Sequence, residues 1–171
     1  KVLQPHQSHD VGEVNGEALS AQDYQNLVEE YTEVVKFSRG TSALTDEENN
    51  QIKDEVWRNY VNNKLIENEA KKLGISVSKA EIQAIIDAGV HPMLQQTPFR
   101  NPQTGAFDKD MLKKFLVDYS KMNTAQMPAQ YAEYYQSMYK FWSFLEKQLI
   151  QNRLAEKYQA LVSKSLFSNP V

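Results

Sequence analysis

Three groups of side chains in this chain could do chemistry. His6-Gln7-Ser8-His9-Asp10 brings two imidazoles and a carboxylate together, a weak donor set for a transition metal. It lies in a polar stretch with no periodicity, where a loose terminus is the plainer reading. The third histidine, His91, precedes Pro92 in an irregular stretch and reads as a surface-loop residue rather than a base. The carboxylates Glu29, Glu30 and Glu33, and then Asp46, Glu47, Glu48, Asp54 and Glu55, form the second group. Paired acids do acid–base work when buried. Here they stand among polar neighbours or at helix starts, where they favour the helix dipole. No Ser is set with a His and an Asp at motif spacing, and no Gly-rich phosphate loop is present. Zero cysteines exclude disulfides, thiolate metal sites and a Cys nucleophile. No catalytic residue, metal site or cofactor follows from these groups.

The third group is apolar. Tyr131, Tyr134, Tyr135, Met138, Tyr139, Phe141, Trp142 and Phe144 crowd one short stretch. On a helix they point in most directions, so they do not form a single buried stripe. Either this helix is packed on two sides, or it offers an adaptable surface to an unfolded chain. Met and aromatic side chains suit promiscuous contacts because they repack at low cost. Met93, Leu94 and Phe99 add apolar groups in the irregular stretch. The candidate client-contacting residues are therefore Met93, Leu94, Phe99, Tyr131, Tyr134, Tyr135, Met138 and Trp142.

Composition narrows the function classes. The 171 residues fit one domain or one extended segment. A hydrophobic content of 41% with mean hydropathy −0.61 implies much surface for the core available. A formal charge of −3 argues against nucleic acid, whose binders carry a basic face. No apolar run approaches the roughly 18 residues that cross a bilayer. The chain opens Lys1-Val2-Leu3-Gln4-Pro5, with no signal-peptide pattern and no initiator Met, and reads as a segment of a longer precursor.

The elements that would position these groups are mostly helices. Residues 1–10 read as a loose leader. Asn15-Gly16 marks a turn between two short extended pieces spanning Val11 to Leu19. Ser20, with Asp23 three residues on, starts a helix whose apolar positions Tyr24, Leu27, Val28, Tyr31, Val34 and Val35 recur at helical spacing. Gly40 ends it. Thr45 and Glu48 form a capping box for a helix reaching Leu73, about 42 Å long. Gly74 ends that helix, Ile75-Ser76-Val77 is an extended link, and Ser78 with Glu81 caps the next helix. That helix runs to about Ala88, with Ile82, Ile85 and Ile86 inward. Residues 89–106 are rich in Gly and Pro and read as an irregular insert, with Met93 and Leu94 in a short turn. Gly105 turns the chain, Phe107 is a buried anchor, and Asp108 caps a helix to Tyr119 with Met111, Leu112, Phe115 and Leu116 on its apolar face. A last helix from about Ala129 to Ser163 would span about 52 Å. Its apolar positions shift register after Leu149, to Ile150, Leu154, Tyr158 and Leu161. The fold class is all-α: an elongated bundle of about five to six helices, two of them long, with an N-terminal extended segment compatible with the pattern.

In order along the chain, these pieces resemble the N-terminal chaperone region of SurA-, PpiD- and PrsA-like peptidyl-prolyl isomerases, the PpiD-like proteins of the Bacteroidetes type most of all. Val14-Asn15-Gly16-Glu17-Ala18-Leu19-Ser20 is similar to the family's opening strand-turn. Trp57 through Gly74 resembles its long second helix. Ile75-Ser76-Val77-Ser78 with Glu81-Ile82 is similar to its "L-G-I-x-V-S-x-x-E-I" junction, and Gly105-Ala106-Phe107-Asp108 to its "G-x-F-D" junction. Phe141 to Glu146 and Lys157 to Leu161 resemble the returning long helix. The resemblance covers about Val11 to Val171.

The resemblance implies an ATP-independent holdase module, residues 11–171, that cradles unfolded or partly folded envelope proteins in the periplasm. In full-length relatives a signal peptide or inner-membrane anchor precedes it and a parvulin-type isomerase domain follows. Neither is expected within these residues, and no isomerase activity is expected of them. A parvulin site needs a His pair with an Asp or Cys on a compact α/β domain, and the three histidines here are scattered. Clients would meet apolar area on the concave side of the two long helices. The alternative is a scaffold in which the long helices form a homodimer or seat the isomerase domains.

Overall fold

A computed structural model of the chain describes residues 10–14 and 16–167. The His6–His9 cluster and Asn15 lie outside the described residues. The chain divides into two compact units, Lys1–Glu69 and Ala70–Val171.

In the first unit, β1 (Asp10–Val14) and β2 (Glu17–Ser20) form an antiparallel hairpin, with Val14 paired to Glu17 and an irregularity between Asp10 and Gly12. Strand β1 thus takes in Asp10, the last residue of the expected leader. Val14 and Leu19 are buried. Gly12 lies so close to the indole of Trp57 that a Cβ there would fall 2.2 Å from the ring. Helix α1 is Ala21–Arg39. Ser20 caps it by accepting the Asp23 N–H at 3.1 Å. Helix α2 is Asp46–Lys72. Its capping box is complete, because Thr45 Oγ1 accepts the Glu48 N–H while Glu48 Oε2 accepts the Thr45 N–H. Val34 of α1 and Ile52 and Val56 of α2 are buried. Tyr24 meets Trp57 edge-on and donates to the Lys53 carbonyl at 3.0 Å.

In the second unit, the end of α2 is closed by Gly74 at φ 70°, a left-handed conformation that a side chain would strain. The Ile75 N–H donates to the Ala70 carbonyl at 2.8 Å and the Gly74 N–H to that of Lys71, a Schellman closure. Helix α3 is Lys79–Ala88, capped by Ser78, which accepts the Glu81 N–H. Ile82 and Ile86 are buried and Ile85 is half-buried. Helix α4 is Lys109–Lys121, capped by Asp108 as its sequence position predicts. Helix α5 is Ala129–Phe167, 39 residues and about 58 Å, one turn longer than the sequence pattern implies.

The chain is therefore an all-α fold of five described helices, two of them long, with one small hairpin before them.

The segment 89–106 is better ordered than its composition implies. Gln95 holds both of its ends: Nε2 donates to the Gly89 carbonyl at 2.9 Å, and Oε1 accepts the Phe107 N–H at 3.1 Å. Asn101 and Ala106 close a tight hairpin, and Arg100 bridges to Phe107. The segment carries a 3-10 turn, Leu94–Gln96, and sinks Leu94, Thr97, Phe99 and Phe107 into the core. Side chains that satisfy backbone groups replace the missing helix ladder.

Candidate functional site

The candidate site grows from the head of α5. Met138, Phe141, Trp142, Leu145 and Leu149 recur at three and four residues and are all buried. They form one continuous stripe against the core. Tyr131 and Tyr134 continue the same three-and-four spacing toward the start of α5 but are 54% and 51% exposed, while Tyr139 lies off that face and is 40% exposed. Behind them runs a ladder of rings. Phe99 meets Trp142 edge-on at 6.4 Å and Phe115 at 5.4 Å. Phe115 stacks on Tyr135 at 6.4 Å, and Tyr119 stacks on Tyr139 at 4.5 Å with 13° between planes. The ladder ties segment 89–106, α4 and α5 together, and its outer rungs face solvent. Ring faces in these offset geometries contribute about 0.5–1.5 kcal/mol per pair beyond burial.

The eight sequence-derived candidates divide. Tyr131 and Tyr134 are exposed, and Met93 and Tyr135 are half-buried. Leu94, Phe99, Met138 and Trp142 are core residues, at 0%, 4%, 8% and 3% exposure, and are not available to a client in this conformation. The reason is cooperative. Segment 89–106 folds back through Gln95 and delivers Phe99 and Leu94 to the same core that α5 enters with Met138 and Trp142. Met111, expected on the apolar face of α4, is 39% exposed instead.

A cleft of about 480 Å³ opens between α3, α4 and α5. Its floor is apolar: Ile86, Leu112, Leu116 and Trp142. Its rim is charged, with Lys109, Asp110 and Lys113 from α4, Asp87 from α3 and Glu146 from α5. Each helix contributes a pair four residues apart, which is why the side chains share one opening. The sequence held this spacing on each helix, but not which helices converge. A shallower groove of about 310 Å³ runs beside Ile75, Ala160 and Leu161.

The titratable groups act as structural fasteners. Lys157 Nζ donates to Glu81 Oε1 at 2.8 Å and to the Ser76 carbonyl at 2.6 Å. The Lys157 ammonium, partly offset by desolvation, holds the Glu81 carboxyl below its usual range. Glu48 is likewise lowered, first by the Thr45 N–H and then, against a desolvation penalty, by the Thr45 hydroxyl and Arg39. Burial, with the Glu55 carboxylate beside it, pushes the Tyr31 hydroxyl up to about 12. His91 Nδ1 accepts the Met93 N–H at 3.1 Å, within its own turn. Among the described residues, no three His, Asp or Glu side chains converge where a metal could sit. No described helix is long and apolar enough to cross a membrane.

The described module thus presents exposed rings and an apolar cleft with a charged rim. The sequence model of the SurA-like N-terminal domain family matches residues 1–116, which span the hairpin, α1 to α3, segment 89–106 and most of α4. The chain belongs to that family. No curated protein and no solved structure matches it.

Proposed function

We propose that the chain is an ATP-independent holdase module of an extracytoplasmic peptidyl-prolyl isomerase of the PpiD-like Bacteroidetes type. Residues 11–171 form the module, and it acts in the periplasm on unfolded or partly folded envelope proteins. A preceding membrane anchor and a following parvulin domain complete the protein, and prolyl isomerisation belongs to the latter. The observation that carries this reading is the set of exposed tyrosines at the head of α5: Tyr131 and Tyr134, before the face of that helix becomes buried at Met138 and beyond, and Tyr139 off that face. Met93 and Tyr135 extend it at half burial. Family membership agrees with it.

Fully burying one large apolar side chain contributes about 1.5–3 kcal/mol. A few such contacts, less the cost of ordering the client, give weak binding and fast release. The test is to add the chain to a chemically denatured protein that aggregates on dilution. Suppression of light scattering is expected at a few-fold molar excess, and no suppression overturns the reading.

A second reading is structural: α5 seats further domains or pairs with a second copy. Ile150, Leu161, Leu166 and Phe167 favour it, because they leave the far half of α5 with exposed apolar groups. A dimer whose mass by light scattering does not change on dilution, and whose interface covers residues 131–144, supports the scaffold over the holdase.

A further inference from the structure

The geometry points to a recognition subsite in the cleft between α3, α4 and α5: it takes one bulky apolar side chain of an extended polypeptide that carries an acidic residue on one side and a basic residue on the other. This rests on the holdase reading and names the class of segment that such a module would hold. The helices that line the cleft differ in charge. Lys109 and Lys113 line it from α4, where Asp110 leaves the balance singly positive, while α3 and α5 supply the carboxylates Asp87 and Glu146. Among the described residues none of these four is held in an ion pair, although Lys114 and Asp118 on the same helix pair at 3.0 Å. Asp87 accepts only the Gln83 amide. Between these helices lies the apolar floor closed by Trp142.

Size argues for a side chain rather than a folded surface. A cleft of about 480 Å³ is of small-ligand dimensions. A stable contact between folded proteins needs about 800 Å² from each partner. In an extended chain, residues two apart face the same way, about 6.6 Å from one another. The fitting segment is therefore acidic-x-apolar-x-basic. The acidic side chain meets Lys109 and Lys113, and the basic one meets Asp87 and Glu146.

The test uses fluorescein-labelled nonapeptides read by anisotropy. One has Asp-Ser-Phe-Ser-Lys at its centre, one Lys-Ser-Phe-Ser-Lys, and one Asp-Ser-Ser-Ser-Lys. The whole chain is compared with its Lys109→Glu, Lys113→Glu variant. Both lysines are exposed, and an acidic residue at the start of α4 suits the helix dipole. The native chain is expected to bind the Asp–Phe–Lys peptide roughly threefold to twentyfold more tightly than the Lys–Phe–Lys peptide, as two rim charge pairs allow. It should not bind the peptide without Phe, and the preference should shrink in high salt. The variant is expected to reverse the charge preference.

Aggregation suppression is measured on the same two proteins. If the native chain suppresses aggregation but the peptides bind alike and the variant behaves as the native chain, the subsite is overturned and the holdase reading stands. If nothing is suppressed yet peptide binding follows charge and Phe, the holdase reading falls and the subsite stands. If neither effect is seen, both fall.

Discussion

Lys157 near the far end of α5 donates to Glu81 in the first turn of α3 at 2.8 Å, and the same ammonium reaches the Ser76 carbonyl at 2.6 Å. One side chain thus fixes the link after α2 and the start of α3 to α5. Glu81 occupies the capping-box position, yet its carboxylate is engaged by this distant lysine.

The contact gives a pH signature. The folded Glu81 carboxyl lies below its ordinary value of 4.5 because Lys157 stabilises the anion. A carboxyl lowered by folding contributes stability above its unfolded pKa and loses it as pH falls through the folded one. Melting temperatures followed from pH 7 downward should therefore fall more steeply below about pH 4.5 in the native chain than in Glu81→Gln. Parallel curves would exclude the link.

Gly12 is fixed by contact rather than by backbone angle. A Cβ at this position would lie 2.2 Å from the Trp57 ring. Gly12→Ala should cost about 1–3 kcal/mol in denaturant unfolding, the usual size of overpacking. In a Trp57→Ala background the same change should cost much less. An equal cost in both backgrounds would place the strain elsewhere.

Gln95 spans Gly89 and Phe107. Gln95→Ala leaves a carbonyl and an amide without that partner and should destabilise by about 1–3 kcal/mol. Hydrogen exchange should quicken at the Phe107 amide before it does in α5. Unchanged exchange there would mean that the segment does not depend on this clamp.

Exposed and buried rings should separate function from stability. Trp142→Ala removes a core ring and should cost about 3–5 kcal/mol. Tyr131→Ser with Tyr134→Ser should move the melting temperature little, since both are about half exposed. The double variant should nevertheless lose most suppression of client aggregation. Full suppression by it would remove the tyrosine row as the client surface.

Local signals carry much of the fold. Ser20, Thr45, Ser78 and Asp108 were legible as caps because a cap needs only a short polar side chain and a free N–H a few residues on. Gly74 was legible because the Schellman turn is local. The stripe Met138, Phe141, Leu145 and Leu149 follows from helical period. The ordered segment 89–106 was not legible, since Gln95 closes it across twelve residues of chain and no period marks such a contact. Neither was the burial of Leu94, Phe99 and Trp142, because apolar type alone does not say whether a side chain faces a core or a client.

The sequence by itself determined the helices, their caps, the hairpin turn at Gly16 and the apolar content of residues 131–144, all of which depend on neighbours within one or two turns. Only the tertiary structure decided which of those rings are covered. That choice depends on which elements meet: Phe99 folded back by Gln95, Phe115 and Tyr119 facing α5 from α4, and Lys157 drawing α3 in. The same meeting made the cleft, whose floor and charges come from three successive helices that no local pattern says will converge.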